Sequence, residues 1–470
     1  MATIESNLLV NVCAEDIRPD GSYEIPANIT AIAENAFKDC RELKEITISD
    51  KITDIGAGAF DGCTHLKKVT LPTGLTVIPD HLFNRCDNLE SINIPVGVTR
   101  IGNDAFRNCG RLMEMLLPAG LQAIEEEAFR NCSGLRALTL PDHLSEIGPY
   151  AFTGCTGLER ITIPNNFTEI SPGTFYHCTS LKEVTLPDGL QTIGHCTFQN
   201  CTSLESIIIP YTVSRIDHNS FSRCTNLSKF IIPPGVTKVS SGTFEGCANL
   251  SEVTIPFSVT EIEQIAFLGC SNLMEVIIPQ NVITIGNSAF SGCDKIESIT
   301  IPPNVVTMKT HAFRGCATLH SVNILEGIRE IQPYTFQNCT SLKEVTIPKS
   351  ITKIGRAAFV GCRLDHIFTY HTHIDTIKGL LPVALRRKVR PLQPLVKSAT
   401  KNDTDIATTH ASQASAAASA RLFVDNPTAK RSAYDEKGTH TTSSSSASAG
   451  TTNDDSDYES LQPRSKQPRT

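Results

Sequence analysis

Fifteen cysteines stand 23 residues apart, from Cys40 to Cys362, and a phenylalanine sits three residues before every one, from Phe37 to Phe359. A fixed period of this length leaves one architectural solution. Each copy is too small to bury an apolar face alone, so the copies must stack and bury it against one another. The predicted fold is an α/β solenoid of 23-residue turns, with a parallel sheet along one face. Short helical, 3₁₀ or loop segments fill the other. With strands ~4.8 Å apart, about 15 turns give a body on the order of 70 Å long.

One copy, Thr179 to Cys201, reads TSLKEVTLPDGLQTIGHCTFQNC. Val184 and Leu186 alternate with polar neighbours, which is the period-two signature of a half-buried strand. Pro187 lacks the donor a ladder needs and ends it. Leu190 and Ile193 point inward on the return path, Gly194 permits a sharp turn, and Thr197, Phe198 and Cys201 follow at helical spacing.

The repeating Leu-x-x-Val-x-Leu-Pro-x-x-Leu-x-x-Ile-Gly-x-x-Ala-Phe-x-x-Cys pattern, over roughly residues 23–367, resembles the BspA-like class of leucine-rich repeats. That resemblance implies an interaction protein without shared catalytic residues. It also implies, as one role, a cell-surface adhesin that binds host matrix proteins.

The boundaries read as a lead-in and partial cap over 1–22, a solenoid over 23–370, a C-terminal cap or linker over 371–397, and a tail over 398–470. Near Cys362 the pattern shifts, because Leu364 arrives one residue early. Leu380, Leu381, Ala384 and Leu385 are expected to pack a short helix on the last turn. The tail is rich in Ser, Thr and Ala, a composition expected to be disordered. Fifteen cysteines in one register beside Phe and Leu read as small, buried, reduced packing residues. Reduced thiols favour a reducing compartment. The N-terminus has no basic region before an apolar run and does not read as a secretory signal. The expected location is therefore cytoplasmic, or a host cell reached by non-classical secretion. A net charge of -7 argues against a general nucleic-acid binder. No stretch approaches the ~18 apolar residues of an integral membrane segment.

Catalytic signatures such as a phosphate-binding glycine loop, GxSxG or HExxH are missing, so the chain is expected to be non-enzymatic and to need no cofactor. The nearest approach to a metal site is His177, His195, Cys196 and His218. His195 and His218 share a register in adjacent turns, and imidazole with thiolate suits zinc. The plainer reading is variable residues of an outer loop. Arg386, Arg387, Lys388 and Arg390 form a basic cluster suited to nuclear import or an acidic membrane, or to a solvated helix end.

The positions that the core does not dictate face outward from the strands. Seven residues after the cysteine the chain usually has Thr or Asn, but Leu116, Ile208, Ile231 and Ile277 are apolar. Three residues further on, Tyr211, Pro234 and Phe257 replace polar or small residues. Ile208, Tyr211, Ile231, Pro234, Phe257 and Ile277 are thus predicted to form one exposed apolar patch that binds a protein partner.

Overall fold

A computed structural model describes residues 2–392 of the 470-residue chain. The predicted disorder of 398–470 lies outside the described residues.

Most turns contribute two strands. The first is the one legible in sequence: Glu183–Thr185 pairs in parallel with Arg160–Thr162 exactly one period away, Ile161 opposite Val184. The second lies on the return path, where Thr192–Ile193 pairs with Glu169–Ile170 on one side and Arg215–Ile216 on the other. Two residues are too short to show an alternation, so the sequence reads this row only as inward-pointing apolar residues. The Pro187 carbonyl accepts the Leu190 amide at 3.0 Å and closes the corner between the rows.

The far side of each turn is built from hydrogen-bonded turns, and among the described residues no helix lies within the repeats. The cause is a pair of left-handed residues in each turn, one five residues before the cysteine and one immediately before it, as at Cys196 (φ 55°) and Asn200 (φ 62°). A right-handed helix cannot run through such residues. Gly194 has a different role from the one expected. A Cβ there would lie 2.7 Å from the Ile170 carbonyl oxygen of the preceding turn, so the glycine permits close stacking of backbones.

The core is a set of columns. Successive phenylalanine rings stack at centroid distances such as 5.6 Å for Phe175–Phe198, with planes 9° apart. Tyr23 closes the column edge-on against Phe37 at 5.2 Å. The cysteine column has its own bond: from Cys63 onward each Sγ donates to the carbonyl of the phenylalanine 26 residues earlier, as Cys201 does to Phe175 at 3.2 Å and Cys224 to Phe198 at 3.1 Å, while Cys40 donates to the Val12 carbonyl. Every cysteine among the described residues is a free thiol. Burial pushes Cys40 up to about 11 and Cys155 and Cys247 up to about 12. These thiols are therefore protonated and poor nucleophiles at neutral pH. Where Thr or Ser replaces the consensus alanine before the phenylalanine, its hydroxyl bonds three residues back, as Thr197 does to the Gly194 carbonyl at 2.7 Å.

Both ends are capped. Thr3–Glu5 and Leu8–Asn11 form an antiparallel hairpin, and the second strand joins the return-path row beside Ala31–Ile32. At the other end the early Leu364 shortens the register to 22: Val345 lies opposite Ile367, and Ile367 opposite Val389. Helices Ile374–Leu380 and Val383–Arg386 fill the last turn. Ile377 and Leu381 are buried, Leu380 and Leu385 are partly buried, and Ala384, expected to pack, is exposed.

Candidate interaction surface

Along the first strand row most three-residue strands show one pattern, exposed–buried–exposed, as in Lys229–Phe230–Ile231. The middle residue feeds the core and the outer two face solvent. All six patch residues are exposed: Ile208 by 88%, Tyr211 by 78%, Ile231 by 71%, Phe257 by 64% and Ile277 by 57%, with Pro234 beside them. Because neighbouring turns are in register, they lie within four consecutive turns of one face.

The core beneath the patch is also unusual. Phe230 occupies a position filled by Val or Ile in neighbouring turns. It inserts edge-on between Phe221 and Phe244, at 4.9 and 4.7 Å, and those two rings stand 6.0 Å apart. The first-row ladder is interrupted beside it: Glu183–Thr185 pairs back to Arg160–Thr162, Lys229–Ile231 pairs forward to Glu252–Thr254, and residues 206–209 between them join neither.

Sequence reasoning marked Leu116 as an apolar departure but left it out of the patch, and it missed Val96. Val96 is 89% exposed in the same column as Tyr211, and Leu116, 83% exposed, stands in the adjacent turn with Met113 beside it. The signal was available, since Val96 departs from the polar pattern as Tyr211 does. It was obscured because Leu116 stands four turns from Ile208.

The other candidates have structural uses. His195 Nε2 lies 3.2 Å from the Tyr150 hydroxyl, while His218 Nδ1 lies 3.6 Å from Glu263. Cys196 is half-buried and its thiol is pushed up by that burial. His177 is exposed beside Tyr176. Among the described residues no group of three or more His, Cys, Asp or Glu side chains is arranged to hold a metal ion. In the basic cluster, Arg386 donates to the Leu381 carbonyl at 3.1 Å, and Arg390 donates to those of Arg387 and Val389 at 2.7 and 2.9 Å. The Leu381 and Arg387 carbonyls are C-cap groups at helix ends, which have no intrahelical partner, and Val389 belongs to the last strand. Among the described residues no helix is long and apolar enough to cross a membrane.

Comparison with known proteins agrees with this architecture. The BspA type leucine rich repeat region, in six copies, matches residues 21–136, 99–228, 145–274 and 265–379. A leucine-rich repeat protein from Bacteroides ovatus is 30% identical with a TM-score of 0.63, the match covering 68% of this chain and 83% of that one. A leucine rich cell surface protein from Faecalibacterium prausnitzii is 24% identical with a TM-score of 0.41, covering 80% and 97%. The pneumococcal vaccine antigen PcpA is 21% identical with a TM-score of 0.46, covering 83% and 94%. No curated protein matches the chain. With its stacked turns, phenylalanine and cysteine columns and a repeat match spanning most of its length, the chain belongs to the BspA-type leucine-rich repeat family.

Proposed function

We propose that this protein is a non-enzymatic scaffold that binds a protein partner through its first-row sheet face, with Ile208, Tyr211, Ile231, Pro234, Phe257 and Ile277 as the contact. The family is one of repeat scaffolds suited to protein–protein interaction. The observation that carries the reading is the exposure of large apolar groups on consecutive turns, in columns that, Val96 and Leu116 apart, are otherwise mostly Thr, Asn or other polar and small residues. Contiguous exposed apolar surface marks interaction sites, and a rigid aromatic such as Tyr211 is a common energetic anchor. The protonated, unpaired cysteine column supports action in a reducing compartment, such as a cytoplasm or the interior of a host cell, over the alternative of a surface adhesin.

The test is capture from host and source-cell extracts by the full chain and by the Ile231→Asp/Tyr211→Ala double variant. A protein held by the first and lost from the second, with unchanged thermal melts, is expected. Equal recovery on both would remove the patch from the binding surface.

A further inference from the structure

We propose that the interaction face is bipartite and takes a cationic amphipathic helix, with Val96 and Leu116 forming a second apolar anchor point. This rests on the reading of the sheet face as the binding surface and specifies the partner's chemistry.

Two apolar areas lie on the same pair of columns. One holds Val96 and Leu116, the other runs from Ile208 to Ile277. Leu116 and Ile208 are four turns apart, which is about 19 Å at ~4.8 Å per turn. The turns between them present Thr139, Thr162 and Thr185 in one column, and Asp142, Asn165 and Asp188 in the other, all exposed. Neither aspartate has an ion-pair partner among the described residues. They stand two turns apart, about 10 Å. The opposite margin of the strands is mixed: Arg136, Arg160 and Lys182 stand among Glu159 and Glu183, and Lys182 pairs with Glu159 at 3.4 Å. Cationic groups on a partner are therefore drawn to the margin that follows the proline corner, where the two aspartates stand without an ion pair. The face thus reads apolar, acidic, acidic, apolar along a line.

A helix matches that line. At 1.5 Å per residue, 19 Å is about thirteen residues, and 10 Å is six or seven. Apolar residues at i and i+14 with basic residues at i+4 and i+11 project from one stripe of a helix and span these distances within the reach of a lysine. Strand addition is less suited here, because the flanking turns cover both edges of each interior strand.

The experiment uses the full chain and a labelled synthetic helical peptide of about eighteen residues. It carries leucine at i and i+14 and lysine at i+4 and i+11, and a control peptide has glutamate in place of the lysines. Fluorescence polarisation is expected to show binding of the lysine peptide and about tenfold or greater weakening with the glutamate peptide. Leu116→Asp is expected to weaken the lysine peptide about tenfold, as is Asp142→Asn/Asp188→Asn, which also flattens the dependence on salt. All these positions are exposed, so unchanged melts verify folding. Absence of peptide binding, equal binding of both peptides, or indifference to Leu116→Asp would overturn the proposal. If Leu116→Asp has no effect on the captured partner while Ile231→Asp/Tyr211→Ala removes it, the central patch stands and only the bipartite arrangement fails. If neither affects it, both readings fail.

Discussion

The interior and the outer face of this solenoid obey opposite rules. Inside, every turn repeats the same residues: Phe198 stacks between Phe175 and Phe221, and Cys201 reaches back to the Phe175 carbonyl. Outside, successive turns differ, so Thr185 is followed by Ile208, Ile231 and Thr254 in one column. The interior columns are fixed by packing between turns. The outer columns are free to vary, and departures from their polar pattern carry the information about partners.

The largest expected effect tests the interior. Phe198→Ala should lower unfolding stability by about 3–5 kcal/mol, through lost transfer energy and an unfilled cavity in mid-stack. Ile231→Asp, two turns on but outside, should change it by no more than about 0.5 kcal/mol. Urea unfolding of both variants measures the contrast, and comparable losses would erase it.

A second expectation concerns the thiols. A solvated cysteine ionises at about pH 8.5. Burial raises Cys40 to about 11 and Cys155 and Cys247 to about 12 in the fold. Above pH 8.5 the unfolded chain therefore releases protons that the folded interior retains. The contribution of the column is complete below that pH and declines as pH rises through the folded values. The urea midpoint, measured under reductant, should fall steadily from about pH 9 to 11. A flat profile would mean that the sulfurs are not buried as a column.

The smallest effect sharpens the boundary between the two regimes. Ile265 sits in the left-handed region, φ 51°, at a position where other turns carry Asn35, Gly58 or Asn219. A β-branched residue there is strained, whereas asparagine tolerates the conformation. Ile265→Asn should raise stability by up to about 1 kcal/mol. A loss in the thermal melt would show that the partly buried isoleucine side chain packs more favourably than its backbone is strained.

The legibility of the molecule follows the same division. Phe, Cys, Leu and Pro recur at every turn, so their period announces the stack and the first strand row without ambiguity. The second row escaped because Thr192–Ile193 and its equivalents are only two residues long. The turns opposite the sheet were expected to be partly helical. Their spacing is helix-like, and only the backbone shows that residues such as Cys196 and Asn200 reverse handedness. Of the candidate face, the cluster from Ile208 to Ile277 was readable as departures from a column, and all six of its residues are exposed. Val96 and Leu116 required the whole column to be viewed at once. The histidines near Cys196 share a register, but register brings backbones together and leaves side chains free to turn to Tyr150 and Glu263.

The change from 23 to 22 residues per turn after Cys362 bears on how the array can be lengthened. Any duplication or deletion of a whole 23-residue unit upstream leaves each phenylalanine above a phenylalanine and each strand facing the same way. The final turns step by 22 residues and still set Ile367 opposite Val345 and Val389 opposite Ile367, so the missing residue is absorbed in the loop after Cys362 and the buried side chains stay inward. Whole units can therefore be gained or lost within the array without disturbing its columns, and a one-residue change confined to a loop leaves the strand register intact.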